Sequence, residues 1–317
     1  MNWIDEFIKL YMSKDKGDFG KALDLKKERL PAKLYRYRSL KNLDYIKNEI
    51  CNGQIFLSLP CEMNDPFDSR SVLEAGNPGF YAQTKDTYWK RFKPILDSET
   101  FDSIFGADDW LDKLLTHITA KYVNEAEVDA MKEKVLKIMM DEIAKFNSNI
   151  NDMINEMSRF ACFTEKNSNL PMWSHYANGH TGVCLEYDIS SISNVYIINR
   201  LFPVKYVSKL PDGTSLLAQD EISRFSFMDY VLIHKLADWS YETEWRLIFT
   251  AGSWFCDADE VPKEFWGNGA PIKFALPSKV FLGTKIEKNE NEIRKWCVEL
   301  GIPVEKMKCT EYGLISE

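Results

Sequence analysis

The sequence predicts an α+β, mixed α/β fold: a single mixed-sheet core interrupted by a helical insertion. Three observations predict it. Short runs with period-two alternation recur early and late in the chain. Amphipathic runs at helical spacing alternate with them. Between Tyr81 and Met157 charges rise, and Leu111, Leu114, Leu115, Met131, Val135, Ile138, Met139 and Ile143 recur at helical intervals with no strand pattern. The chain therefore divides into an N-terminal helix and connector (1–30), an α/β core (31–80 and 158–317) and a helical insertion (81–157).

Taken in order, residues 2–12 place Trp3, Ile4, Phe7, Ile8 and Tyr11 at helical spacing, and the Lys/Asp/Gly-rich segment after them reads as a solvated connector. Leu34–Arg38 alternates as a strand, with both tyrosines on one side and Arg36 and Arg38 on the other. A helix from about Leu40 carries Leu43, Ile46 and Ile50 and stops at Gly53, before a strand from Gln54 to Leu59. Asn64-Asp65-Pro66-Phe67-Asp68 has turn composition. After the insertion, Arg159–Thr164 is a strand, Leu170-Pro171 opens a short helix, Asn178-Gly179 breaks it, and Gly182–Tyr187 is a strand. Phe202–Val207 reads as a strand, Ser215–Leu236 as a helix carrying His234, and Trp239–Phe249 as a strand. That last strand puts Tyr241, Thr243, Trp245, Leu247 and Phe249 on one face and Glu242, Glu244 and Arg246 on the other. Strands at Ile272–Ala275 and Lys279–Leu282, a helix over Asn289–Leu300 and a strand over Val304–Cys309 complete the pattern.

With 317 residues the chain is long enough for a core without disulfide staples. A formal charge of -8 argues against a generally basic nucleic-acid binder. Seven scattered cysteines without a Cys-x-x-Cys pair, and no apolar leader or run of about 20 apolar residues, give the expectation of a cytoplasmic protein that does not cross a membrane. No phosphate-binding glycine loop of the P-loop or dinucleotide type is present.

The chemistry-bearing residues concentrate in Phe163–Asp188 and Trp239–Phe249. Cys162, His175, His180 and Cys184 are metal-binding residue types, but without a close pair no metal site is expected. The two cysteines lie in apolar strand patterns, where a thiol is inert. Strand-borne polar groups remain: Arg36 and Arg38, suited to bidentate grip of a phosphate; Thr164, whose hydroxyl can orient a ribose or nicotinamide; and Glu242 and Glu244, which can hold a ribose hydroxyl and stabilise an oxocarbenium-like centre. Trp173, Tyr176 and Trp245 offer rings for stacking, and His175 and His180 flank the helix end. Asp65 and Asp68 with the glutamate pair would suit a divalent ion.

The segments LYRYRSL, IFLSLPCEMNDPFD, CFTEKNSNLPMWSHYANGHTGVCLEYD and WSYETEWRLI resemble a bacterial family known only as a domain of unknown function, often met near phage-defence genes. That resemblance implies no activity. More distantly, an arginine on an early strand, a hydroxyl-bearing middle strand and a Glu-x-Glu resemble the signature of ADP-ribosyltransferases. This second resemblance implies that Arg36 or Arg38 takes the phosphates of NAD, Thr164 occupies the middle position, and Glu244 is the catalytic carboxylate with Glu242 beside it. It further implies an intracellular toxin or defence effector with a nucleic-acid or protein acceptor. A non-catalytic nucleotide or nucleic-acid sensor and a metal-dependent nuclease are the alternatives. The transferase reading requires the arginines and Glu244 to converge in space.

Overall fold

The computed structural model describes residues 2–13, 15–73, 85, 88–120, 125–213, 221–251 and 270–317. In chain order the elements are α1 (Trp3–Tyr11), α2 (Lys16–Arg29), β1 (Lys33–Arg38), α3 (Leu43–Asn52), β2 (Gln54–Leu57), α4 (Ser98–Phe105), α5 (Trp110–Ala120) and α6 (Glu125–Met157). They continue through β3 (Ser158–Thr164), α7 (Leu170–His175), β4 (Val183–Asp188), α8 (Val195–Asn199), β5 (Leu201–Pro203), β6 (Lys205–Val207), α9 (Glu221–Leu232), β7 (His234–Leu236) and β8 (Glu244–Thr250). The chain ends with β9 (Ala270–Lys273), β10 (Lys279–Leu282), α10 (Glu290–Leu300), β11 (Val304–Thr310) and β12 (Gly313–Ser316). Helices and a mixed sheet confirm the α+β class.

The chain forms two compact units, Met1–Arg70 with Ile154–Leu210 and Phe225–Glu317, and Ser71–Met153 with Pro211–Arg224. In the second unit Phe101, Ile104, Phe105, Trp110 and Leu114 make an aromatic-rich core. Asn147 and Asn151, one helical turn apart on α6, each bracket the backbone of an extended segment. Asn147 accepts from the Leu73 N–H at 2.7 Å and donates to its carbonyl at 3.2 Å, and Asn151 does the same for Ser71 at 3.1 and 3.3 Å.

The first unit is built on an eight-stranded sheet of order β12-β11-β10-β4-β1-β3-β8-β5. Only β10 and β11 run parallel within it; the other neighbours are antiparallel. Period-two alternation sorts the side chains. Leu34, Ala161, Phe163, Val183, Leu185, Tyr187, Trp245, Leu247, Val280 and Leu282 leave one face and pack with Ile46 and Ile50 of α3 and Ile293 and Trp296 of α10. Tyr37, Cys184, Phe281 and Met307 leave the other and pack with Met172 and Trp173 of α7. Helix α3 starts at Asn42, whose side chain accepts from the Tyr45 N–H, and ends at Gly53 with φ 58. A side chain at Gly53 would also sit 3.0 Å from the Ala275 carbonyl carbon, so the stop is steric as well as conformational.

Several local expectations are corrected. The connector after α1 is helical: Asp15 caps α2, and Lys26, Lys27 and Arg29 in the last turn suit its negative end, which outweighs two glycines. The expected strand over Phe202–Val207 is two strands, β5 and β6, joined to different partners. His234 lies on β7, not on a helix. Residues 237–242 form a 3-10 turn, and Thr243 takes the left-handed conformation at φ 44, so β8 begins only at Glu244. The tail carries one more strand than the pattern showed, β12 folding back on β11. The expected starts of the insertion at Tyr81 and of the late helix at Ser215 lie outside the described residues. Among the described residues no helix is long and apolar enough to cross a membrane.

His234 carries a consequence for stability. It is 3% exposed, its Nδ1–H faces the Tyr230 carbonyl, and burial lowers its pKa to about 4. Between the unfolded value near 6.5 and about 4 the unfolded chain binds the proton more tightly, so stability falls as pH drops through that window. The full effect is up to about 3 kcal/mol. Unfolding midpoints from pH 7 to 4 should fall more steeply in the wild type than in His234→Gln; parallel curves would refute the assignment.

Candidate functional site

The site follows from an interruption in the sheet. Strand β3 pairs with β1 at a single rung, Tyr35 opposite Thr164, and Ser58 bridges Phe160 four residues away. An unbroken antiparallel ladder would place Tyr37 opposite Cys162, but no ladder pair joins them. The strands part there, and a cavity of about 310 Å³ occupies the opening. It lies wholly in the first unit. Arg36 and Arg38 line one part of it, Lys235, Glu242 and Glu244 another, and Ser58, Asn64, Cys162 and Tyr176 add polar groups.

Arg36 and Arg38 leave β1 on the α3 face, as the alternation predicts. There they meet Glu49, a 1% exposed carboxylate on the apolar stripe of α3. Arg38 Nε lies 3.0 Å and Arg36 Nη2 3.7 Å from Glu49 Oε1, and the Tyr187 hydroxyl reaches Glu49 Oε2 at 3.4 Å. The Arg36 guanidinium sits 5.2 Å from the Phe163 ring centre, is 5% exposed, and has no hydrogen-bond partner at Nε or Nη1. A buried guanidinium with open donors is costly unless a ligand completes it.

The other charged group belongs to the opposite face, since Thr164 pairs with both Tyr35 and Glu244. Arg246, fully buried, grips Asp68 in bidentate fashion at 2.7 and 2.8 Å and Glu244 through Nε at 2.7 Å and Nη2 at 3.1 Å. Lys235 Nζ donates to Glu242 Oε2 at 2.6 Å and Glu244 Oε2 at 3.1 Å, and lies 3.4 Å from Asp68 Oδ2. The Tyr176 hydroxyl donates to Glu242 Oε1 at 2.6 Å. With Glu242 ionised, three carboxylates against two cations leave this cluster one negative charge in surplus, just as two arginines against Glu49 leave one positive charge on the other face of the sheet.

The two glutamates differ. Burial would raise both, but Arg246 and Lys235 bring Glu244 down to about 2. Glu242 stays raised, by burial and by the charge of Glu244, with Lys235 only partly opposing. Glu244 is thus a fixed anion inside an ion-pair network, and Glu242 is the carboxyl poised to exchange a proton. Burial and Glu244 push the Cys162 thiol up, which makes it a poor nucleophile.

The remaining sequence candidates are placed as follows. Arg36, Arg38, Tyr176, Glu242 and Glu244 line the cavity. Thr164 does not: it is 1% exposed and its hydroxyl donates to the Glu242 carbonyl, fixing the turn that carries that glutamate. Trp173 is fully buried, with its indole N–H on the Asn167 carbonyl at 2.7 Å, so it is core and not a stacking ring. His180, at φ 69, lies parallel to Trp173 with centroids 6.2 Å apart, and exposed His175 lies 6.5 Å from Trp239; neither lines the cavity. Trp245 packs on the opposite face against Trp3. Asp65 caps its own turn through the Phe67 N–H, whereas Asp68 is drawn into the charge cluster by Arg246. Among the described residues no group of His, Cys, Asp and Glu is arranged to hold a metal ion.

Lys235 and Glu49 are the site residues that sequence reasoning missed. Both carry a signal: a lysine that follows the apolar run Val231–Ile233 and precedes Leu236, and a glutamate between Ile46 and Ile50 on an apolar helix stripe.

Residues 172–247 match the model of a family described as "Protein of unknown function (DUF2971)". The matched segment carries Tyr176, Lys235, Glu242, Glu244 and Arg246 and excludes Arg36, Arg38, Glu49 and Asp68. The chain matches no curated protein and no solved structure.

Proposed function

We propose that this cavity binds a nicotinamide dinucleotide and that the protein cleaves its glycosidic bond, passing ADP-ribose to water or to an acceptor. The observation that carries the reading is that one cavity is lined from one face of the sheet by a surplus cation with open guanidinium donors and from the other by a surplus anion. Oxidised NAD is complementary, with a pyrophosphate and a cationic pyridinium ring joined by a ribose. The missing Tyr37–Cys162 rung adds an edge of main-chain donors and acceptors suited to a carboxamide.

In this reading Arg36 and Arg38 hold phosphate oxygens. The C–N bond breaks with its electron pair leaving on nicotinamide, which departs neutral, and the ribose becomes oxocarbenium-like. Ionised Glu242 stabilises that cation and takes the proton of the attacking hydroxyl. Glu244 and Lys235 hold Glu242 in place and do not react. Activity should therefore rise with pH as Glu242 ionises, and Glu242→Gln should slow nicotinamide release by about 10²–10⁴-fold while ADP-ribose still binds. The assay is a progress curve for nicotinamide beside calorimetric titration with ADP-ribose. A rate in the variant within about threefold of wild type would remove Glu242 from the chemistry.

A non-catalytic nucleotide sensor is the second reading, favoured by the shielding of Glu242, which is only 2% exposed. Tight ADP-ribose binding that survives Glu242→Gln, with no nicotinamide released by wild type, would select it. A divalent-metal nuclease is disfavoured because Asp68 and Glu244 are already paired with Arg246.

A further inference from the structure

The Tyr176 hydroxyl has one proton and two acceptors in reach, Glu242 Oε1 at 2.6 Å and Asn64 Oδ1 at 3.3 Å. Asn64 belongs to the loop Pro60–Ser69, which walls the cavity through Glu62, Met63 and Asn64. The loop is anchored at its far end by the bidentate Asp68–Arg246 pair, and Ser69 there takes a left-handed φ of 57. Near Asn64 the only side-chain hydrogen bond to the α7 side, among the described residues, is the one with Tyr176.

We propose that Tyr176 is a positioning residue that hands its hydroxyl proton between Glu242 and Asn64, so that the protonation of Glu242 sets how firmly this loop closes the cavity. The inference rests on Glu242 being the reactive carboxyl of the proposed site. When Glu242 is ionised, both its oxygens accept, and Tyr176 donates to it; Asn64 is released. When Glu242 is protonated, its O–H donates to the Tyr176 oxygen, and the tyrosine proton turns to Asn64 Oδ1. The Tyr176–Glu242 hydrogen bond persists in both states with its direction reversed, the protonated state adds the bond to Asn64, and no heavy atom has to move far.

The groups facing Glu242 come from several elements: Lys235 from β7, Glu244 from β8, Tyr206 from β6, Cys162 from β3, Tyr241 from its own turn, and Asp68 through Lys235. Glu244 is held at about 2; burial pushes Tyr176, Tyr206, Tyr241 and Cys162 up; and Lys235, which burial alone would lower, is kept charged chiefly by Glu244. Glu242 is the group in this set raised from the carboxylate range toward neutrality.

The test is hydrogen–deuterium exchange of peptides covering residues 60–69 from pH 5 to 8, corrected for the intrinsic pH dependence of exchange, in wild type, Tyr176→Phe and Glu242→Gln. In wild type the loop should exchange about fivefold faster once Glu242 ionises, the worth of one hydrogen bond. Tyr176→Phe should be flat and fast. Glu242→Gln, whose amide donates permanently to Tyr176, should be flat and slow. A step of equal size in Tyr176→Phe, or no step in wild type, would overturn the proposal. Because no NAD is added, failure of the catalytic reading leaves this readout intact, and conversely. Unfolding midpoints of the variants confirm that the exchange is measured on folded protein.

Discussion

Arg246→Met lowers the unfolding free energy by about 3–5 kcal/mol. Arg246 is fully buried and joins Asp68, Glu244 and the Leu232 carbonyl, which lie on a loop, a strand and a helix end. Methionine matches the volume of the stem but leaves the Asp68 and Glu244 carboxylates with Lys235 as their one remaining cation. Urea denaturation followed by tryptophan fluorescence would measure the loss, and a change under about 1 kcal/mol would mean that the network is solvated. Glu244→Gln breaks the same network from the other side. A loss of turnover in that variant therefore reports folding as much as chemistry, which moves the mechanistic test to Glu242.

The second large effect concerns the ligand. Arg36→Gln should weaken ADP-ribose binding about 30-fold or more, because a charge-assisted hydrogen bond in a buried setting is worth about 2 kcal/mol. Stability should change little or rise, since Arg38 continues to pair with Glu49 at 3.0 Å and a buried guanidinium with open donors has been removed. Calorimetric titration with ADP-ribose and with inorganic pyrophosphate reads the binding. Equal affinity in the variant would place the phosphate elsewhere.

Much of this architecture is legible in the sequence where alternation is strict. In Leu34–Arg38 period two alone puts the tyrosines against α7 and the arginines against α3, and the structure keeps that division. Glu244 and Arg246 share a face for the same reason. Legibility fails where a side chain decides the backbone. The 3-10 turn over residues 237–242 is fixed by the distant Thr164 hydroxyl and by left-handed Thr243, neither of which leaves a periodic trace. Helix α2 was obscured by Gly17 and Gly20, whose cost is offset by its capping and end charges. Asp68 looks like a turn residue because it is one; its ion pair with Arg246, far along the chain, is a tertiary fact.

The cavity is harder still to foresee. Arg36 and Glu244 come from opposite faces of one sheet, an arrangement that would keep them apart in an unbroken ladder. They border one space because the sheet opens after the Tyr35–Thr164 rung, and a missing rung has no sequence signature.

The most direct test of the central claim is nicotinamide release from NAD by the purified protein, with and without a cell extract as acceptor source, followed by mass spectrometry beside Glu242→Gln. Release by wild type that falls at least about 100-fold in the variant is the predicted result. NAD that binds the wild-type cavity yet releases no nicotinamide under either condition, or equal release by Glu242→Gln, would contradict it.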